Sequence, residues 1–226
     1  MNVESYRIGA PAQDRRNALK RLLVLPAIAA GIGGSGCVSS ADTTPAPGAA
    51  PAAGRATFIF SVSHERGVPP KDVSHLVDLR VIGNGPSIGD AVFSSFDSFS
   101  PAEKSTLGDA YGQVYVKEVA PGRYAFVEWY LSDDTNVLFP TRWRPRSAPP
   151  ALQFDARADE VIYLGNLHGH IVWRPLLSGL VPTPAGVTVE VRDRAGVDLP
   201  VAIAKYPPLR DRVTMALVPL GTWGGS

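Results

Sequence analysis

The residues best suited to chemistry in this 226-residue chain are two histidines, one serine, one arginine–tryptophan run and one cysteine. His168 and His170 stand two apart in His168-Gly169-His170. On a strand that spacing sends both imidazoles to one face, where they can share a metal ion. A third ligand would come from His64, His75 or an acid, and the pattern HExxH is absent. The plain alternative is a solvated strand end in which Gly169 marks a bulge. Ser87 lies in Gly85-Pro86-Ser87-Ile88-Gly89, the G-x-S-x-G pattern of a hydrolase nucleophile elbow. In such an enzyme His168 or His170 would act as base and Asp155 or Asp159 would orient it. The elbow requires a helix after the serine, and Asp90–Ser95 is a poor one, so a turn is the first reading. Arg142-Trp143-Arg144, with Trp129, Tyr130 and Trp173 elsewhere, suits an aromatic surface for glycan. Alternation puts Arg142 and Arg144 on one face and Trp143 on the other. A tryptophan there also serves to cover a sandwich edge while the arginines stay wet. Glu128 is the one acid inside an apolar strand, either a paired carboxylate or an edge residue.

Cys37 is the only cysteine, which excludes an internal disulfide framework and a cysteine-rich zinc site. Its setting is informative. Arg15-Arg16-Asn17-Ala18-Leu19-Lys20-Arg21 precedes an apolar run, Leu22 to Ile32, and then Gly33-Gly34-Ser35-Gly36-Cys37. This is the plan of a secretory signal: a basic region, a short apolar stretch and small residues before the cut. The run is too short to span a bilayer, which needs about 20 apolar residues. The small residues just before Cys37 resemble the lipobox of bacterial lipoproteins. That resemblance implies cleavage at residue 36 and acylation of Cys37, with multiple chains holding the protein on a membrane. Val38, in place of aspartate, implies the outer membrane and a periplasmic face; a free secreted or periplasmic protein is the other outcome. Arg15-Arg16 with Leu19-Lys20 also resembles a twin-arginine export signal, against an ordinary basic n-region.

The charge balance follows the same division. The whole chain carries +1, but residues 1–36 hold five basic and two acidic side chains, so the remainder is mildly acidic. Neither value is the electrostatic footprint of a nucleic-acid partner. Residues 37–55 are rich in Ser, Thr, Ala, Pro and Gly and predict a flexible tether.

From residue 56 to about 222 the pattern is period two. Strands are expected over 58–62, 76–82, 114–119, 124–131, 160–167, 171–173, 187–191 and 213–217. Ser100-Pro101-Ala102-Glu103 is a capping box with proline at the first helical position, which predicts a short helix over 101–108. Residues 201–205 suit a short helix or a bulged edge. Ala120-Pro121-Gly122-Arg123 suits a type II turn and predicts a hairpin between its flanking strands. Glycine (22) and proline (21) favour a turn-rich, mainly β chain. Strands without βαβ alternation point to one antiparallel β-sandwich with one short helix.

Ala120-Pro121-Gly122-Arg123-Tyr124-Ala125-Phe126 resembles a hairpin of transthyretin-like or carboxypeptidase-regulatory-like β-sandwich domains. Glu160–Leu167 is similar to the strand that follows it in bacterial lipoproteins of that kind. The resemblance implies a scaffold and a non-enzymatic envelope protein, and it transfers no catalytic residue. The sequence therefore describes an envelope lipoprotein with a structural or binding role, without a cofactor, whose partners are the membrane and an envelope protein or glycan. The alternatives are an exported serine hydrolase using Ser87 and a small metal-binding module using His168 and His170.

Overall fold

The computed structural model describes residues 44–65, 77–95, 107, 110–133, 141–175 and 182–225. Every described residue belongs to one compact unit, Ser39–Ser226. The helix expected over 101–108 lies outside the described residues apart from Leu107, which is fully buried. His75 also lies outside them.

Among the described residues the domain is mainly β, in two sheets with one α-helix. The strands are β1 (Ala56–Glu65), β2 (Val77–Gly85), β3 (Gly89–Ser94), β4 (Ala110–Val119), β5 (Gly122–Asp133), β6 (Thr141–Trp143), β7 (Leu152–Ala156), β8 (Val161–Pro175), β9 (Pro182–Arg192), β10 (Val213–Met215) and β11 (Gly221–Gly225). Helix α1 spans Ala195–Lys205. The first sheet runs β11-β9-β8-β1-β4, with β10 also paired to β8. The second runs β3-β2-β5-β6, with β7 on the other half of the same β5 edge.

Alternation builds the core between the sheets. Phe58, Phe60 and Val62 of β1 face Leu79, Val81, Phe93, Tyr124, Phe126 and Trp129 across it. Phe60 meets Phe93 edge-on at 4.8 Å and lies tilted against Phe126 at 5.0 Å; an aromatic pair adds about 0.5–1.5 kcal/mol beyond burial. The Trp129 indole donates to the Trp223 carbonyl at 2.8 Å, tying the second sheet to the end of the first.

Two expectations change. The second sheet is antiparallel throughout, as are β1–β4, β8–β9 and β9–β11, but β8 pairs in parallel with both β1 and β10. Nor does the Pro121-Gly122 turn close a hairpin. β4 belongs to the first sheet and β5 to the second, so the turn carries the chain across the sandwich. A tight turn is compatible with either, because turn chemistry sets the reversal and not the pairing. β5 is a central strand of the second sheet, with β2 on one side and β6 and β7 on the other.

Residues 195–205 form a helix longer than 201–205 despite Gly196 and Pro200. The Asp193 carboxylate accepts from Ala195 N at 2.9 Å, and the Arg194 carbonyl accepts from Val197 N and Asp198 N. Packing supplies what propensity lacks. Ala202 of the helix, with Tyr206 and Leu209 just after it, covers Ile59, Val116, Val161 and Tyr163 on the outer face of the first sheet. No helix among the described residues is long and apolar enough to cross a membrane.

The second half of the Pro/Ala linker lies on the domain. Pro45 is buried; Gly48 N donates to the Lys205 carbonyl, Ala52 N to Glu118 and Gly54 N to Asp159. Gly48 and Gly54 both take positive φ, each in a turn closed by a backbone bond, Ala49 to Ala46 and Arg55 to Ala52.

Candidate metal centre

One irregularity in β8 decides which way its histidines face. Ile59 pairs with Tyr163, but Ser61 pairs with Asn166, so β8 spends one residue more than β1 over this interval. The extra residue falls at Leu164-Gly165, and Gly165 has φ +113°. Before the bulge Tyr163 faces the helix-covered side and Ile162 and Leu164 face the core; after it Leu167 and Ile171 face the core. A bulge that inserts one residue reverses parity. It thereby puts Asn166, His168 and His170 on the outer face with Ser61, Ser63 and Glu65. Gly169, expected as a bulge, pairs regularly with His64 and Val189.

On that face Glu65, His168 and His170 each offer a ligand atom, all within 4.8 Å of one another. This is the one such group of three among the described residues. The acid required as third ligand is thus Glu65. His64 points elsewhere: its Nδ1 lies 2.9 Å from Ser95 Oγ and its ring stacks on Tyr111.

Glu65 and His170 hold each other and their neighbours, while His168 is held at one nitrogen only. Glu65 Oε1 accepts from Ile171 N at 2.7 Å, while Oε2 lies 3.4 Å from His170 Nδ1. His170 Nε2 sits 3.0 Å from Glu190 Oε2. His168 Nδ1 sits 2.8 Å from Ser63 Oγ, which leaves its Nε2. The two rings stand nearly perpendicular, with centroids 4.9 Å apart. A histidine that gives its second nitrogen to a carboxylate or hydroxyl is oriented for metal, its ring and tautomer set by that bond. Burial pushes the His168 pKa down to about 2, helped by the charges of Arg192 and then of His170. The ring is therefore neutral, the form that binds metal. A tetrahedral ion with bonds of about 2.0–2.1 Å holds its ligands about 3.3 Å apart, so binding draws the group together. His170 and Glu65 have that freedom, with side chains 43% and 38% exposed.

Behind His168 runs a buried hydrogen-bond chain. Ser63 donates to Asn166 Oδ1 at 3.3 Å. Asn166 Nδ2 reaches Ser63 at 2.9 Å and Ser61 at 2.7 Å. Ser61 and Tyr163 both donate to Asp198 Oδ2 on α1, at 2.6 and 2.7 Å. Burial raises the Asp198 pKa, against the lowering effect of these two hydroxyls.

The other sequence candidates occupy different settings. Ser87 is in the turn between β2 and β3, where Gly85 pairs with Gly89. It is buried against Tyr124 OH at 2.8 Å and accepts from Ala120 N at 3.1 Å. A hairpin follows it, not a helix, so no elbow forms. Asp155 pairs with Arg123, and Asp159 accepts from Gly54 N. Arg142 and Arg144 lie over the Tyr130 ring at 5.4 and 5.5 Å, joined by Arg80 at 5.8 Å. Trp143 packs half-buried against the core, so this surface displays guanidinium groups and not indole. Glu128 is the partner of Arg144, at 2.6 Å. Cys37 lies outside the described residues.

Sequence reading missed Glu65, Glu190, Ser63 and Asn166. Ser61-Val62-Ser63-His64-Glu65 did hold a usable signal: its polar positions continue the face begun by Ile59. Compared with family models, curated proteins and solved structures, the chain matches none.

Proposed function

We propose that the chain is an exported envelope protein, anchored through acylated Cys37, whose β-sandwich holds a transition-metal ion at Glu65, His168 and His170. It acts by binding and not by turnover. The observation that carries this reading is the convergence of three ligand atoms from two strands within 4.8 Å. Two imidazoles and one carboxylate suit zinc, copper, iron or nickel better than calcium or magnesium, which prefer all-oxygen shells. Three protein ligands leave a fourth position for water or for a group from an envelope partner. The basic, apolar and small segments ending at Cys37 support export and anchoring.

Thermal melting of the purified chain tests the metal reading. At a Zn²⁺ or Cu²⁺ concentration about 100-fold above Kd, selective binding to the folded state raises Tm by about 5–10 °C. A His168→Ala/His170→Ala double variant is expected to show no rise. A wild type that melts at the same temperature with and without either ion removes this reading.

A further inference from the structure

We propose that Ser63 is the positioning residue of this centre: it accepts the Nδ1–H of His168 and so holds the Nε2 lone pair ready for the ion. The inference rests on the metal reading above and adds which nitrogen binds and what enforces it.

The direction of the buried chain carries the argument. Asp198 Oδ2 takes the Ser61 proton at 2.6 Å. Ser61 has only one proton to give, so toward Asn166 it is an acceptor, and Asn166 Nδ2 supplies that bond at 2.7 Å. The same Nδ2 is 2.9 Å from Ser63. The amide is thereby oriented, and its Oδ1 takes the Ser63 proton at 3.3 Å. With its own proton spent, Ser63 presents lone pairs to His168 Nδ1 at 2.8 Å. That contact is a hydrogen bond when Nδ1 carries hydrogen. The opposite tautomer would draw the Ser63 proton to Nδ1 and leave the amide oxygen without this donor. Ser61, Ser63, Asn166 and Asp198 are all fully buried, where no water can replace a missing protein donor.

The placement of Ser63 is itself built. It sits opposite Gly112 on β4, where a Cβ would come within 2.5 Å of the Ser63 Cβ and 2.7 Å of Leu107 Cδ1. Glycine lets Leu107 close over the serine. On the other side, the β8 bulge brings Asn166 and His168 into line with it.

Long-range proton–nitrogen correlation spectra of the metal-free, full chain read the tautomer directly. The wild type is expected to show His168 protonated on Nδ1. In Ser63→Ala that single tautomer is lost, and zinc affinity measured by chelator competition falls about 10–100-fold. A wild-type His168 protonated on Nε2 overturns the proposal, as does a folded Ser63→Ala protein with unchanged zinc affinity. If Ser63→Ala does not fold, the wild-type spectrum still decides. A wild type that shows the Nδ1–H tautomer but binds no zinc defeats the metal reading and leaves the Ser63–His168 hydrogen bond standing.

Discussion

Glu65 shows how much a single side chain does at this corner. One of its oxygens closes a backbone bond to Ile171, and the other faces His170. Glu65→Gln keeps a carbonyl oxygen for Ile171 but removes the anionic ligand. Zinc affinity is expected to fall at least about tenfold, with the metal-free melting temperature nearly unchanged; chelator competition and melting curves check the two parts. Asp198 makes a different prediction. Its pKa is raised by burial, so its stabilising contribution is fully present below the unfolded carboxyl value of about 4. That contribution is lost as pH rises through the raised folded value, because the buried group must then ionise. Asp198→Asn lacks this titration. Its stability relative to wild type should therefore improve between pH 4 and pH 8, read from urea midpoints at both. An equal pH dependence in the two proteins would contradict the buried titration.

At the scale of elements, the β8 bulge is the feature on which the site depends. Gly165 holds φ +113°, and a Cβ there would stand 3.1 Å from the Arg192 carbonyl. Gly165→Val is expected to cost about 1–3 kcal/mol and to weaken zinc binding as well, because His168 and His170 lose their register with Ser63 and Glu65. Denaturation and zinc titration of the same sample check both effects. The bulge also explains what the sequence could and could not say. The strands were legible from alternation: Phe58, Phe60 and Val62 in β1 and Val187, Val189 and Val191 in β9 are all core residues. The pairing was not legible. Residue patterns record which face is buried, and the parallel β1–β8 contact joins segments about a hundred residues apart. His168 and His170 were visible as a pair because they are local. Glu65 was not, since its nearness depends on that long-range register. Helix α1 was half hidden because Gly196 and Pro200 argue against a helix that tertiary packing maintains.

For the whole molecule, the proposed N-terminal export and anchoring segment and the proposed metal-binding domain can be tested separately. Expression in a Gram-negative host should place the wild type in the membrane fraction with an acyl mass. Cys37→Ala should move it to the soluble fraction without that mass; equal partition of the two would refute the anchor. Zinc binding should be the same in both, because Cys37 is not among the proposed ligands Glu65, His168 and His170. The metal centre itself is tested by X-ray absorption spectroscopy on zinc-loaded full chain, with stoichiometry from elemental analysis. One ion per chain is expected, with nitrogen and oxygen scatterers at about 2.0–2.1 Å and imidazole features that vanish in His168→Ala/His170→Ala. A chain that retains no zinc, or a spectrum the double substitution leaves unchanged, would contradict it.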